Sequence, residues 1–227
     1  SAFNDLIHNL QLDLTHADIS ISAPLQFNSK LCQGPIRVAD MFNLCRFENQ
    51  LYVMRLTGKE IRKHLEMSYD QWVNTMHSPS DHLLLLSSST VGDQQRLGFK
   101  NFTFNFDSAS GIDYTVDVTQ PNGQKVHILR MSNGQPFDEN KWYKVAVNSY
   151  RANGGGELLT RGAGIPHDSL QSRIIWKSQY DLRHYLIQWI ERLHDLDPQP
   201  NNNWKFVPEE WVEEAGKRDY KLLFGEK

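Results

Sequence analysis

Residues 142–156 read WYKVAVNSYRANGGG, a strand pattern that runs directly into a glycine-rich loop. Three consecutive glycines allow a backbone to approach a ligand closely or to adopt positive φ. Beside such a loop, the Tyr150 ring is placed to stack on a planar ligand; the alternative is a plain strand-to-helix turn with Tyr150 in the core. The phosphate-binding patterns GxGxxG and GxxxxGK[ST] are absent, which disfavours a dinucleotide fold or a P-loop.

The segments around this loop combine helical and strand periodicity. Helices are predicted at 3–14, in the stretch after Thr57-Gly58, and at 182–193. Strands are predicted at 17–22, 51–56, 102–106, 112–118, 125–131 and 142–148, whereas 87–98 is a run of turn formers. The mixture predicts an α+β domain over 1–197, with a mixed or antiparallel sheet and flanking helices. Residues 198–227 are expected to pack on that domain as an extension, because about thirty residues cannot bury their own core.

Composition restricts the classes of function. The chain has 227 residues, a formal net charge of -3 and 39% hydrophobic residues, which is typical of a globular protein. This charge gives no general attraction for duplex nucleic acid, although a few local groups can still hold a small anionic ligand. No apolar run approaches the 18 residues of a membrane span. Without a leader pattern at residue 1, we expect a cytosolic protein or a mature chain whose leader has been removed.

A second candidate site lies at 105–111, where a predicted strand runs into the small residues NFDSASG. Taken alone, Phe106 is more typical of a core residue than of a ligand contact, and Asp107 is equally compatible with capping a turn. The sequence therefore leaves both roles open at this point.

Histidine and cysteine spacing gives no metal or redox motif. The only histidine cluster, His77–His82, contains a proline and lacks a third spaced ligand, so it predicts a solvated loop. The spacing of Cys32 and Cys45 matches neither zinc nor redox patterns and leaves a disulfide open. A Gly-x-Ser-x-Gly elbow is absent, so serine catalysis is unsupported.

Taken in order, these segments resemble the C-terminal domain of the 5'-nucleotidase family. The resemblance extends from the N-terminus to about Leu193 and is carried by ADIS at 17–20, VADMF at 38–42, RFEN at 46–49, LTGKE at 56–60, FDSASGIDY at 106–114 and YRANGG at 150–155.

The resemblance implies a substrate-binding role. In that family the C-terminal domain holds the nucleoside between two aromatic rings, which correspond here to Phe106 and Tyr150. The other substrate-binding residues that the resemblance implies are Asn49, Asp107, Arg151, Asn153, Gly154 and Gly155. Asn49 is also expected to tie the turn at 45–48.

The resemblance places catalysis outside this chain. An N-terminal metallophosphoesterase domain with two divalent metal ions, in the same precursor or in a separate chain, is the implied partner, and the present chain is expected to hold no cofactor and to be inactive alone. Family members are exported, which implies a periplasmic or cell-surface location.

Two departures favour one branch of the family. Residues 22–26 read SAPLQ where 5'-nucleotidases have Gly-Gly-Gly-Ile-Arg, and Gly156 replaces the aspartate of Asn-Gly-Gly-Asp. These departures, together with Tyr150 and Arg151, resemble 2',3'-cyclic-nucleotide phosphodiesterase/3'-nucleotidases more than strict 5'-nucleotidases. A stand-alone nucleoside-binding module and an enzyme for a non-nucleotide phosphoester or thioester-like substrate remain alternatives. Base and ester specificity and oligomeric state are left open by the sequence.

Overall fold

A computed structural model of the chain describes residues 2–24, 33–45, 47–91, 94–193 and 195–225. The helices within these ranges are α1 Ala2–Thr15, α2 Val38–Leu44, α3 Gly58–Trp72, α4 Ser149–Ala152, α5 Leu170–Arg173, α6 Leu182–Leu193 and α7 Glu209–Phe224. The strands are β1 Ile19–Ser22, β2 Gln50–Thr57, β3 Leu86–Val91, β4 Gln94–Phe99, β5 Ser108–Ser110, β6 Ile112–Asp117, β7 Val126–Met131, β8 Trp142–Asn148, β9 Ile174–Asp181 and β10 Trp204–Val207. This content confirms the predicted α+β class.

The largest sheet has five strands in the order β5-β1-β8-β2-β9. Strand β1 runs parallel to β8, while the β1–β5, β8–β2 and β2–β9 pairs are antiparallel. One end of this sheet, called here the Asn148 end, therefore brings together the C-terminal ends of β1, β8 and β9 and the N-terminal ends of β2 and β5. Segments far apart in sequence meet there.

Helix α3 covers one face of this sheet and begins at a capping box. The Thr57 hydroxyl accepts a hydrogen bond from the Glu60 amide at 3.2 Å, and Glu60 Oε2 accepts one from the Thr57 amide at 2.7 Å. Its apolar stripe of Ile61, Leu65 and Tyr69 is fully buried in the main core. The helix therefore forms where the sequence predicts it, and it carries His64, whose side chain bonds to Asp107 next to β5.

The C-terminal residues add a strand to a second sheet, of order β10-β6-β7. β10 pairs in parallel with β6, and the Trp204 ring stacks on Tyr114 with centroids 5.7 Å apart. Asp219 of α7 is buried and accepts hydrogen bonds from the Leu84 amide at 2.9 Å and from His82 Nδ1 at 2.5 Å. These bonds hold α7 against the domain.

Two segments differ from the sequence prediction. The turn formers at 87–98 include most of the β3–β4 hairpin, with Leu86 opposite Phe99. The predicted strand at 102–106 is a 3₁₀ turn over Thr103–Asn105. On either side of this turn, Phe102 is exposed and Phe106 is buried. The strand prediction was wrong because alternation alone does not show that a partner strand is available.

Among the described residues, no helix combines the length and apolar character needed to cross a bilayer.

Candidate functional site

Tyr150 lies at the Asn148 end with its ring partly open to solvent, 39% exposed. Asn148 caps the short helix α4 by accepting a hydrogen bond from the Arg151 amide at 2.8 Å. A Cβ on Gly155 would lie 2.5 Å from the Tyr150 ring, so the ring rests directly on the glycine backbone. The Gly155 backbone thereby fixes one side of the Tyr150 ring. Phe104 contacts the same ring edge-on, with centroids 6.0 Å apart.

Phe106 does not reach this surface. It is fully buried, stacked on Trp72 with centroids 5.4 Å apart and in edge contact with Phe99. The prediction that Phe106 forms one side of an aromatic clamp is therefore corrected, because no face of its ring is open. Phe104, two residues earlier, is the phenylalanine that lies against Tyr150.

Asp107 and Arg151 bind each other beneath the rings. Both side chains are 3% exposed, and Arg151 donates from Nε to Asp107 Oδ2 at 2.8 Å and from Nη2 to Oδ1 at 3.0 Å. His64 Nε2 donates to the same Oδ2 at 2.7 Å. The prediction that Asp107 and Arg151 contact the substrate is corrected, because burial and mutual pairing leave both as supports of the site.

The charge state of this cluster follows from its surroundings. Burial alone would raise the pKa of Asp107, but the Arg151 charge and the His64 hydrogen bond outweigh burial and lower it to about 2. Burial lowers the pKa of His64 despite its bond to Asp107. The cluster therefore contains a carboxylate, a guanidinium and a neutral imidazole, and its net charge is zero.

Arg151 also fixes the backbone of the ring-bearing turn. Its Nη2 donates to the Phe104 carbonyl at 3.0 Å, and its Nη1 donates to Asn105 Oδ1 at 3.2 Å and to the Gly155 carbonyl. One side chain thus joins the Phe104 turn to the glycine loop. Sequence reasoning did not find this role, because spacing gives no sign of a contact between residues 46 or 47 positions apart.

Steric constraints explain why this loop is rich in glycine. Gly154 and Gly156 adopt φ of +90° and +70°, which favour glycine. A Cβ on Gly156 would lie 2.1 Å from Asn105 Oδ1. The glycine in place of an aspartate at 156 therefore makes room for the Asn105 amide.

Asn49 and Asn153 flank the site. Asn49 precedes Gln50, whose amide donates to Ser149 Oγ at 3.1 Å, and the Asn49 carbonyl accepts from the Leu182 amide at 2.8 Å. The side-chain amide of Asn153 is exposed and bonds to the Ser149 carbonyl and to Gln171. Both residues lie near Tyr150 in the fold, whereas Arg46, in the turn that Asn49 was expected to tie, lies outside the described residues.

The described residues contain no group of three or more His, Cys, Asp or Glu side chains arranged to hold a metal ion. Cys45 is buried, and burial raises the pKa of its thiol to about 12; Cys32 lies outside the described ranges. The described residues therefore do not fit a two-metal centre.

A buried polar network joins α1 to the strands beside Asp107. Ser20 Oγ donates to Gln11 Oε1 at 2.7 Å, so it accepts from His8 Nδ1, 2.9 Å away. His8 Nε2 is then the acceptor for Asn4 Nδ2 or Ser108 Oγ, both 3.2 Å away. These contacts require a neutral imidazole, and burial lowers the pKa of His8 to about 3.

The neutral state of His8 predicts acid sensitivity. Since its pKa falls from 6.5 unfolded to about 3 folded, the unfolded chain binds an extra proton between these pH values, and stability falls as pH falls. We expect His8 to contribute a loss of about 2 kcal/mol between pH 7.5 and 5.0. In urea unfolding at both pH values, His8→Gln should reduce the pH dependence by that amount, although it also lowers stability at pH 7.5.

The exposed His127 provides the control. His127→Gln should leave the difference between pH 7.5 and 5.0 unchanged. Equal pH dependence in wild type and His8→Gln would show that His8 is not held neutral.

Comparisons with known proteins place the chain in a family. The family described as "5'-nucleotidase, C-terminal domain" matches residues 1–161. The chain is 30% identical over 192 residues to 2',3'-cyclic-nucleotide 2'-phosphodiesterase/3'-nucleotidase of Salmonella typhimurium, covering 78% of this chain and 27% of that protein. It is 28% identical over 186 residues to the trifunctional nucleotide phosphoesterase protein of Bacillus subtilis, covering 77% of this chain and 11% of that protein.

A solved structure agrees at the level of fold. The 5'-nucleotidase precursor from Thermus thermophilus superposes with a TM-score of 0.65 at 22% identity, covering 92% of this chain and 36% of that one. The chain thus spans only a fraction of the length of these relatives. It belongs to the family of 5'-nucleotidase C-terminal domains, which confirms the predicted resemblance.

Proposed function

We propose that this chain is the nucleoside-recognising part of a phosphoric ester hydrolase that acts on nucleotides. The observation that carries the proposal is the partly exposed Tyr150 ring at the Asn148 end, which rests on Gly155 and is contacted edge-on by Phe104. Family membership supplies the class of substrate, since the relatives described above are named as nucleotide phosphoesterases.

The chemistry around the rings favours a base over a phosphate. The buried Asp107 and Arg151 neutralise each other, so neither offers a free charge to an anion. Aromatic faces instead bind any planar base, with about 1–3 kcal/mol per stacked base. The proposed contribution of this chain is therefore to hold the substrate in position. This converts the bimolecular encounter between substrate and catalytic groups into a step within one complex.

Bond cleavage is proposed to depend on groups outside the described residues. Two divalent metal ions in a metallophosphoesterase domain, in the same precursor or in a partner chain, would activate water and stabilise the developing charge. Within the family, the resemblance to cyclic-nucleotide phosphodiesterases favours a 2',3'-cyclic or 3'-nucleotide, and an exported location.

Alanine substitution of the two rings tests the proposal. Tyr150→Ala should weaken adenosine binding by roughly 5- to 150-fold, because it removes the stacking face. Phe104→Ala should weaken it less, because Phe104 contacts Tyr150 edge-on and its own ring is stacked on Phe102. Tyr150→Phe keeps the face and should bind within about twofold of wild type. Calorimetry with adenosine, AMP and 2',3'-cyclic AMP measures the affinities, and melting temperatures on the same samples show that each variant is folded.

Tyr220 on α7 is a matched control, since its exposure of 42% is close to that of Tyr150. Tyr220→Ala should bind adenosine like wild type. Folded Tyr150→Ala and Phe104→Ala variants with unchanged affinity would remove both rings from the site and refute the proposal.

A further inference from the structure

The rings of His167 and Tyr150 rest on consecutive glycines of the same loop. A Cβ on Gly154 would lie 3.2 Å from His167 Cδ2 and 3.4 Å from its Nε2, and a Cβ on Gly155 would lie 2.5 Å from the Tyr150 ring. Because consecutive Cα atoms are about 3.8 Å apart, the two rings lie within about 12 Å of each other. A single nucleotide is long enough to contact both.

The segment that carries His167 is held against this loop. Gln171 Nε2 donates to Asn153 Oδ1 at 2.8 Å, and the buried Leu170 places its Cδ1 3.2 Å from the same Cβ position on Gly154. The Leu170 amide donates to the His167 carbonyl. A side chain whose backbone is fixed before binding loses less conformational entropy when it contacts a ligand.

The His167 imidazole is exposed, and within the part of the chain that the structure describes neither ring nitrogen has a hydrogen-bond partner. Two neighbouring carboxylates are engaged with other groups. Glu157 lies 3.5 Å from Arg161 Nη1, and Asp168 Oδ1 accepts from Ser169 Oγ at 3.3 Å. An imidazole carries an N–H donor in either protonation state. His167 therefore presents a hydrogen-bond donor beside the glycine loop.

This donor fits the phosphate of a nucleotide. The Asp107–Arg151 ion pair is buried and neutral, so a phosphate contact at this loop has to come from another side chain. A hydrogen bond to a charged oxygen is stronger than one to a neutral hydroxyl, which favours phosphate over ribose as the acceptor. The family match ends at residue 161, so His167 lies outside the matched residues.

We propose that His167 is a specificity-determining residue, which binds the phosphate of a nucleotide whose base stacks on Tyr150. His167 thereby makes the chain prefer a nucleotide to the free nucleoside. This inference rests on the proposed function, since it assumes that the base binds at Tyr150.

The test compares AMP with adenosine by calorimetry on the full chain, because the two ligands differ by the phosphate. Wild type should bind AMP roughly 10- to 150-fold more tightly than adenosine, the range expected for one hydrogen bond to a charged group. His167→Ala should remove most of this preference while adenosine affinity stays within about twofold, since stacking on Tyr150 is unchanged. His167→Gln keeps an N–H donor and should prefer AMP more strongly than the alanine variant does.

His127, which is exposed on β7 of the second sheet, provides the control. His127→Ala should keep the wild-type preference for AMP, and melting temperatures show that each variant is folded. Equal affinity of wild type for AMP and adenosine, or a folded His167→Ala variant that keeps the preference, would overturn this inference while the proposed function stands. Failure of both ligands to bind would overturn both.

Discussion

Arg151→Met is expected to lower the free energy of unfolding by about 3–5 kcal/mol, because it leaves the buried Asp107 carboxylate without its main partner. The substitution also removes the guanidinium that joins the Phe104 turn to the glycine loop. Urea unfolding followed by circular dichroism measures the loss, and adenosine affinity is measured below the unfolding transition.

Arg130 provides a close control. Its Nε lies 2.8 Å from Asp113 Oδ2, the same distance that separates Arg151 Nε from Asp107 Oδ2, but the Arg130 side chain is 62% exposed. Arg130→Met should cost about 1 kcal/mol or less, as measured for surface ion pairs. If Arg151→Met were as stable as wild type but had lost adenosine affinity, Arg151 would be a ligand contact and not a support.

Phe106→Ala is expected to destabilise the fold by about 3–5 kcal/mol, because it leaves a cavity between Trp72 and Phe99. Thermal and urea unfolding of this variant check the value. Tyr150→Ala, which removes a partly exposed ring, should cost much less stability and lose much more affinity. A stable Phe106→Ala variant with weakened adenosine binding would return Phe106 to the ligand site.

Much of the fold was accessible to sequence reasoning because local periodicity is strong in the elements that build the core. The predicted strand at 142–148 and helix at 182–193 have the bounds of β8 and α6. Strand β9 was not predicted, since it lies at the sheet edge and its residues are mostly exposed. An edge strand gives no clear alternation of apolar and polar residues.

The candidate site was accessible only in part. Tyr150 was predicted as a site residue from its place beside three glycines and from the family resemblance, and the structure places its ring against Gly155. Phe106 was predicted to flank the ligand but is buried, whereas Phe104 contacts Tyr150. A strand would put both phenylalanines on one face, and the 3₁₀ turn separates them. The His64–Asp107–Arg151 cluster is formed by tertiary packing, so no sequence motif could have indicated it.

Pairing of β10 with β6 protects an edge that would otherwise be open. Without residues 204–207, the outward backbone groups of β6 would be unpaired and the Tyr114 ring would lose the cover of Trp204. An exposed strand edge beside an apolar face is a template for association with other chains. A chain shortened to end before residue 198 would therefore expose this edge, and we expect the C-terminal extension to limit association with other chains as well as to support the fold.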